Sequence, residues 1–155
     1  MDVWRLLHLL SMCLMMAGVG GTVVPIWRAW GAEEVERRAL YLDEAHRNEQ
    51  LMLLPGTIAM MFSGYAWATA AGHNVIVTWW LVALQVLTMV DLFIFIPLMG
   101  VGLRRVRYLA LAAEKQGAIT DELRDAMADN VPLVFSTLIA VTIPLMVWLP
   151  VFKPF

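Results

Sequence analysis

The chain has 155 residues, of which 61% are hydrophobic and 15% charged, and its mean hydropathy is +0.71. Soluble domains are about 45–50% apolar and about 25% charged, so this composition excludes an ordinary soluble protein. The net charge of −2 gives no indication of nucleic-acid binding. A single cysteine, Cys13, excludes an intrachain disulfide.

Four apolar runs reach the length of about 20 residues that a transmembrane helix requires. The predicted spans are Val3–Trp27, Leu51–Ala71, Val75–Gly100 and Val131–Phe152. The first run is longer than the apolar core of a signal peptide, roughly 7–15 residues, so it is expected to be a retained helix. The sequence therefore predicts an all-α polytopic membrane protein, a four-transmembrane-helix bundle that forms one domain over residues 1–155.

Basic residues are distributed unevenly among the connections between these spans. Nine of the eleven Lys and Arg residues lie in loop one (Arg28–Gln50) or loop three (Val101–Asn130). Positively charged loops stay on the cytoplasmic side of a membrane. Both loops are therefore predicted to be cytoplasmic and both termini to face outward.

Charge spacing and cap residues predict short cytoplasmic helices in loops one and three. Loop one carries acids four residues before bases, the favourable order on a helix, at Glu33/Arg37, Glu34/Arg38 and Asp43/Arg47. In loop three, Gly117 is expected to end one helix and Thr120 to cap the next. We interpret these segments as solvated linker helices with a partly apolar face, with a docking platform for a partner protein as the alternative.

Tryptophans cluster near the predicted membrane surfaces, as in an aromatic belt. Those expected near the outer surface are Trp4, Trp79, Trp80 and Trp148, and those expected near the inner surface are Trp27 and Trp30.

Histidine at two places indicates a candidate cofactor site at the outer end. His8 lies about two turns into the first span, and His73 lies in the short turn between the second and third spans. A neutral imidazole can ligate haem iron or copper. A b-type haem held by His8, with His73 as a second ligand and Arg5 paired with a propionate, is one interpretation. The alternative is a structural hydrogen bond for His8 and a solvated His73.

Copper is a less favoured occupant of the same place. His8 would be its ligand together with the nearby thioethers of Met12, Met15 and Met16. Methionine is also a common filler of apolar cores, so these residues do not by themselves indicate a metal.

Asp91 is the one acidic residue near the middle of a predicted span. A carboxylate there costs roughly 2.5–3.5 kcal/mol on insertion scales, so a neutral acid, a hydroxyl partner or a partner subunit is expected. Gln85 and Thr88 precede it at three-residue steps and extend a polar stripe. This stripe is interpreted either as a bond between helices or as a proton or ligand site.

Several short motifs resemble a family of small bacterial membrane proteins. The first span carries Leu6-Leu7-His8-Leu9-Leu10-Ser11 followed by Gly20-Gly21, and the second carries Leu54-Pro55-Gly56 and Ser63-Gly64-Tyr65. The third opens with Thr78-Trp79 and is followed by Arg104-Arg105. These motifs resemble an uncharacterised family of predicted integral membrane proteins, which is itself distantly similar to CopD-like copper-resistance proteins and HemJ-type protoporphyrinogen oxidases.

The resemblance implies that His8 matches the haem-ligating histidine of the HemJ-type enzymes. Those enzymes also carry a lysine in the third span, whereas residues 79–100 contain none here. This difference argues against protoporphyrinogen oxidation, and the redox function implied is that of a small cytochrome-like electron carrier or an oxidase.

Two function classes follow from the sequence, and neither decides whether the protein is an enzyme. The first is a redox-linked membrane protein with haem b near its outer face. The second is a non-catalytic accessory subunit of a larger respiratory, photosynthetic or transport complex, packed in the lipid bilayer against other subunits or a second copy of itself.

Overall fold

The computed structural model describes residues 3–154, and every regular element in that range is helical. The α-helices in chain order are α1 (Val3–Gly31), α2 (Val35–Asn48), α3 (Leu54–Ala70), α4 (Trp79–Val90), α5 (Ile96–Gln116), α6 (Asp121–Ala128) and α7 (Val131–Phe152). Two π-helical turns, Glu49–Leu53 and Asp91–Phe95, join α2 to α3 and α4 to α5. The all-α prediction is confirmed.

Four helices are long and apolar enough to cross a membrane, as predicted. Two of them are longer than their apolar runs, because Val35–Ala70 and Trp79–Gln116 are continuous helices of 36 and 38 residues. The predicted start of the second span at Leu51 therefore lies inside a helix. We call the end of the bundle with α2 and α6 the loop end, and the end with residues 71–78 the turn end.

The third span begins later than predicted, at Trp79 rather than Val75. Gly72 has a positive φ of 78°, and the Asn74 side chain accepts the backbone N–H of Ile76 at 3.1 Å. The run from Val75 to Val77 is β-branched, so it gains little from forming a helix. Apolar character alone did not reveal this longer turn.

Each π turn precedes a proline, at Pro55 and Pro97. A proline inside a helix has no N–H for the carbonyl four residues earlier, and its ring collides with that carbonyl. Widening the preceding turn to the i→i+5 pattern keeps the long helix continuous across each proline. At Pro55 the helix therefore continues through a π turn and does not break.

Loop one is part of the packed core and not a solvated linker. In α2, Val35, Ala39, Leu42 and Ala45 recur at helical spacing and are all buried. This face packs against α1 and α5. Charged residues cover the other side of α2.

Two of the charge pairs expected from the spacing in loop one are replaced by bonds to other elements, while Arg37 pairs with Glu34 at 2.7 Å rather than with Glu33. Arg38 donates to the carbonyl oxygens of Ala29 and Ala32 at the end of α1. Asp43 accepts from Arg107 of α5, with 2.6 Å between the paired atoms. Both side chains therefore connect α2 to the rest of the bundle.

The predicted helix caps in the loop three region are confirmed. Gly117 follows α5 with φ of 68°, and the Thr120 side chain accepts the Leu123 backbone N–H at 3.2 Å. Pro132 lies in the first turn of α7, where a missing N–H costs nothing.

The core is densest at the loop end. Fully buried residues there come from α1, α2, α5 and α6, and they include Ile26, Ala29, Leu42, Met99, Leu103, Ala110 and Leu123. Toward the turn end, α3 and α4 barely touch, although they follow one another in the chain. Large apolar side chains such as Phe62, Phe93 and Val141 are exposed, as expected for helix faces that meet lipid.

Candidate functional site

His8 of α1 contacts α3, and we call the residues around its ring the His8 site. Its Nδ1 lies 3.1 Å from the carbonyl oxygen of Met60 and 3.3 Å from the Ser63 hydroxyl oxygen. The ring packs beside Trp67, with 5.5 Å between centroids. A Cβ added at Gly64 would lie 3.0 Å from the imidazole Cε1, so glycine provides the space for the ring.

This geometry assigns the tautomer of His8. A carbonyl oxygen can only accept, so Nδ1 carries the proton that is donated to Met60. Nε2 then has the lone pair, which is the form of imidazole that ligates metals. A backbone carbonyl bonded to the other ring nitrogen is also the usual partner that orients a ligating histidine.

Two of the motifs that carry the family resemblance meet at the His8 site. His8 comes from the first motif, and Ser63 and Gly64 come from the second-span motif. About two helical turns deeper, a Cβ at Gly56 would lie 2.6 Å from the backbone nitrogen of Met15, so the Leu-Pro-Gly motif permits close contact with α1. The sequence placed these motifs on two helices but gave no sign that they touch.

The other two residues proposed for a haem site, His73 and Arg5, differ in their position relative to His8. His73 is exposed in the turn and lies edge-on to Trp80 at 5.7 Å between centroids, and no hydrogen bond or ring contact within residues 3–154 joins it to His8. Arg5 is exposed one turn from His8.

The methionines named for copper do not all lie on one side of α1. Met15 is buried in the core while Met16 is 44% exposed, so the two do not share one face. Over the described part of the chain, no three side chains of His, Cys, Asp or Glu gather where they could hold a metal ion.

Asp91 is buried at the start of the second π turn, with 3% of its surface exposed. Its Oδ2 lies 2.7 Å from the Thr142 hydroxyl oxygen, which connects the third span to α7. Its Oδ1 is buried without a hydrogen-bond partner.

The three residues proposed as a polar stripe on the third span form separate hydrogen bonds. Gln85 accepts from the Tyr65 hydroxyl at 2.8 Å and donates to the Val75 carbonyl at 2.7 Å, so it holds α3 and the turn to α4. Thr88 donates to Leu84 of its own helix. Neither side chain contacts Asp91 in these bonds.

A second buried acid, Glu49, was not predicted from the sequence. Glu49 is only 5% exposed, and its Oε2 lies 3.3 Å from Nδ1 of His46. The carboxyl group lies against the bare Cα of Gly100 on the third span, where the Arg104 guanidinium also approaches. Glu49 precedes Pro55 by six residues, as Asp91 precedes Pro97, and this repeated acid-to-proline spacing was the signal available in the sequence.

Comparison with known proteins identifies the family to which the chain belongs. No curated protein and no solved structure matches the chain. One family does match, over residues 2–154, and its description is "Predicted integral membrane protein (DUF2269)". Because the match covers nearly the whole chain and four helices are suited to cross a membrane, the protein belongs to this family of integral membrane proteins.

Proposed function

We propose that the protein binds one b-type haem near the turn end through Nε2 of His8 and acts in electron transfer or a haem-linked redox reaction. The observation that carries this proposal is the hydrogen bond from Nδ1 to the Met60 carbonyl, which leaves Nε2 as the lone-pair nitrogen. Arg5, one turn away and exposed, is available to a propionate. The bound haem would supply one-electron chemistry.

The test is an oxidised-minus-reduced visible spectrum of protein purified in detergent after expression with ample haem. We expect a Soret band and an alpha band at about one haem per chain. His8→Gly should abolish both bands, and added imidazole should restore them by filling the vacated ligand position. His73→Gly is the matched control, and it should keep the bands if His8 is the only histidine ligand.

A featureless spectrum from folded wild-type protein would overturn the haem proposal. The accessory-subunit function would then take its place, and purification in mild detergent would be expected to recover other membrane subunits or a stable homo-oligomer. A spectrum that His8→Gly leaves unchanged would instead assign the haem to other ligands.

We also propose the orientation in which the loop end faces the cytoplasm of a bacterial cell. Arg38, Arg104 and Arg107 all lie at the loop end, where helices α2 and α5 extend beyond the apolar runs. Lipid surfaces and the insertion machinery retain such positive charge on the cytoplasmic side. In this orientation His8 and the turn of residues 71–78 lie near the outer surface.

A further inference from the structure

Asp91 has the surroundings of a neutral acid rather than a carboxylate. It is nine-tenths buried, and it belongs to no ion pair among residues 3–154. Its single polar side-chain contact is Thr142, and Oδ1 faces no donor. A buried charge with one hydrogen bond and no counter-ion is strongly disfavoured in an apolar medium.

The hydrogen bonds around Thr142 determine where the proton lies. The Thr142 hydroxyl oxygen is 2.7 Å from Oδ2 of Asp91 and 2.7 Å from the carbonyl oxygen of Ile139. A hydroxyl has one proton to donate and can accept with its lone pairs. With Asp91 ionised, one proton would serve two acceptors. With Asp91 neutral, its O–H donates to Thr142 and Thr142 donates to Ile139, so both short contacts are complete.

The remaining oxygen fits the same assignment. Oδ1 is then the carbonyl oxygen of a neutral acid, and leaving it without a partner costs far less than leaving half of a carboxylate unsolvated. The π turn that starts at Asp91 also widens the helix here.

We propose that Asp91 is a proton-binding site within the membrane, occupied at neutral pH, in which the bound proton on Oδ2 is donated to Thr142. Binding forms the O–H bond on Oδ2 and neutralises the carboxylate, and it requires no co-reactant. The Asp91 site lies between the third span and α7, whereas the His8 site lies between α1 and α3. It does not depend on the haem proposal.

Infrared spectroscopy of the full chain in lipid tests this assignment. We expect the C=O stretching band of a protonated carboxylic acid at neutral pH. Its frequency should lie near the upper end of the range for such groups, because Oδ1 accepts no hydrogen bond. Carbon-13 labelling of aspartate carboxyl groups should shift the band in the unmodified protein. Asp91→Asn should remove it while the bundle stays folded, because the amide can donate to Thr142 as the acid does.

Two further variants identify the partners. Thr142→Val should raise the frequency of the Asp91 band, because the O–H loses its acceptor. Glu49→Gln is the matched control, since it neutralises the other buried acid, and it should leave the aspartate band in place. Absence of any aspartate-dependent band at neutral pH in the wild-type protein would show that Asp91 is ionised and would overturn the proposal. A band that Thr142→Val leaves unshifted would overturn the assignment of its partner.

Discussion

Glycine in the first two spans is placed where backbones meet. A Cβ added at Gly18 would lie 2.7 Å from the carbonyl carbon of Met52, while a Cβ at Gly20 would meet nothing within 4 Å. Small residues let membrane helices approach closely enough for van der Waals contact to hold them together. The two glycines therefore have different roles, although they are two residues apart.

Gly18→Ala should destabilise the bundle by about 1–3 kcal/mol, since an extra carbon in a packed seam forces backbones apart. Gly20→Ala is the matched control, and it should leave stability unchanged or slightly raise it. Denaturant unfolding of both variants in detergent, followed by circular dichroism, measures the difference. Equal effects of the two substitutions would contradict the close approach of α1 to the turn after α2.

Glu49 and Gly100 form a second close pair. A Cβ at Gly100 would lie 3.2 Å from Cδ of Glu49 and closer still to its Oε1. The carboxyl group therefore uses the space that any side chain at position 100 would need. This contact connects the first π turn to α5.

Gly100→Ala should be destabilising in the wild-type background and much less so when Glu49 is also alanine. A coupling energy of about 0.5–3 kcal/mol is expected between contacting residues, and it should be visible in a double-mutant cycle of unfolding free energies. Additive effects would indicate that Glu49 and Gly100 do not share this space.

At the scale of elements, the start of α7 depends on one residue with an unusual backbone. Asn130 has φ of 52°, a left-handed conformation that asparagine tolerates better than most residues. Its side chain accepts the indole N–H of Trp30 at 2.9 Å and donates to the Ala128 carbonyl. The junction between α6 and α7 is thereby fixed to the end of α1.

Asn130→Gly and Asn130→Ala should separate these two contributions. Both lose the side-chain bonds, worth about 0.5–1.5 kcal/mol each, but only alanine adds roughly 1–2 kcal/mol of left-handed strain. The melting temperature should be highest for the wild type, lower for Asn130→Gly and lowest for Asn130→Ala. Trp30→Phe removes the same indole bond, so its effect should be smaller in the glycine background than in the wild type.

At the scale of the whole molecule, the tryptophans follow the two ends of the bundle. Trp27 donates to Thr137 at 3.0 Å and Trp30 donates to Asn130, both at the loop end. At the turn end, Lys153 lies 5.4 Å from the Trp80 ring, which joins the end of α7 to the start of α4. Several of these indoles thus also connect helices, in addition to the surface role that the sequence indicates.

The proposed orientation predicts a labelling pattern in intact bacterial cells. With Cys13 replaced by Ser, a cysteine at His73 should react with a membrane-impermeant maleimide, since His73 is exposed at the turn end. A cysteine at Ala118, exposed between α5 and α6, should react only after the cells are permeabilised. The reverse pattern would place the loop end outside.

Some features were accessible from the sequence because they depend on local chemistry. Gly117 and Thr120 end and start helices through their own backbone and side-chain properties, and these predictions hold. The second span extended beyond its predicted start because helix formation does not stop where apolar character ends. The contacts of Asp91 with Thr142 and of Glu49 with Gly100 were not predictable, since the two residues of each pair lie 51 positions apart.

The sequence by itself determined that this is an integral membrane protein with four helical spans, because apolar length and composition are additive along the chain. It also identified His8 and Asp91 as unusual, because ionisable groups are costly in lipid. Only the tertiary structure decided what these groups contact, that α2 is part of the core, and that Glu49 is buried. The physical reason is that helices in a membrane associate through close packing and hydrogen bonds between distant residues, which no local pattern encodes.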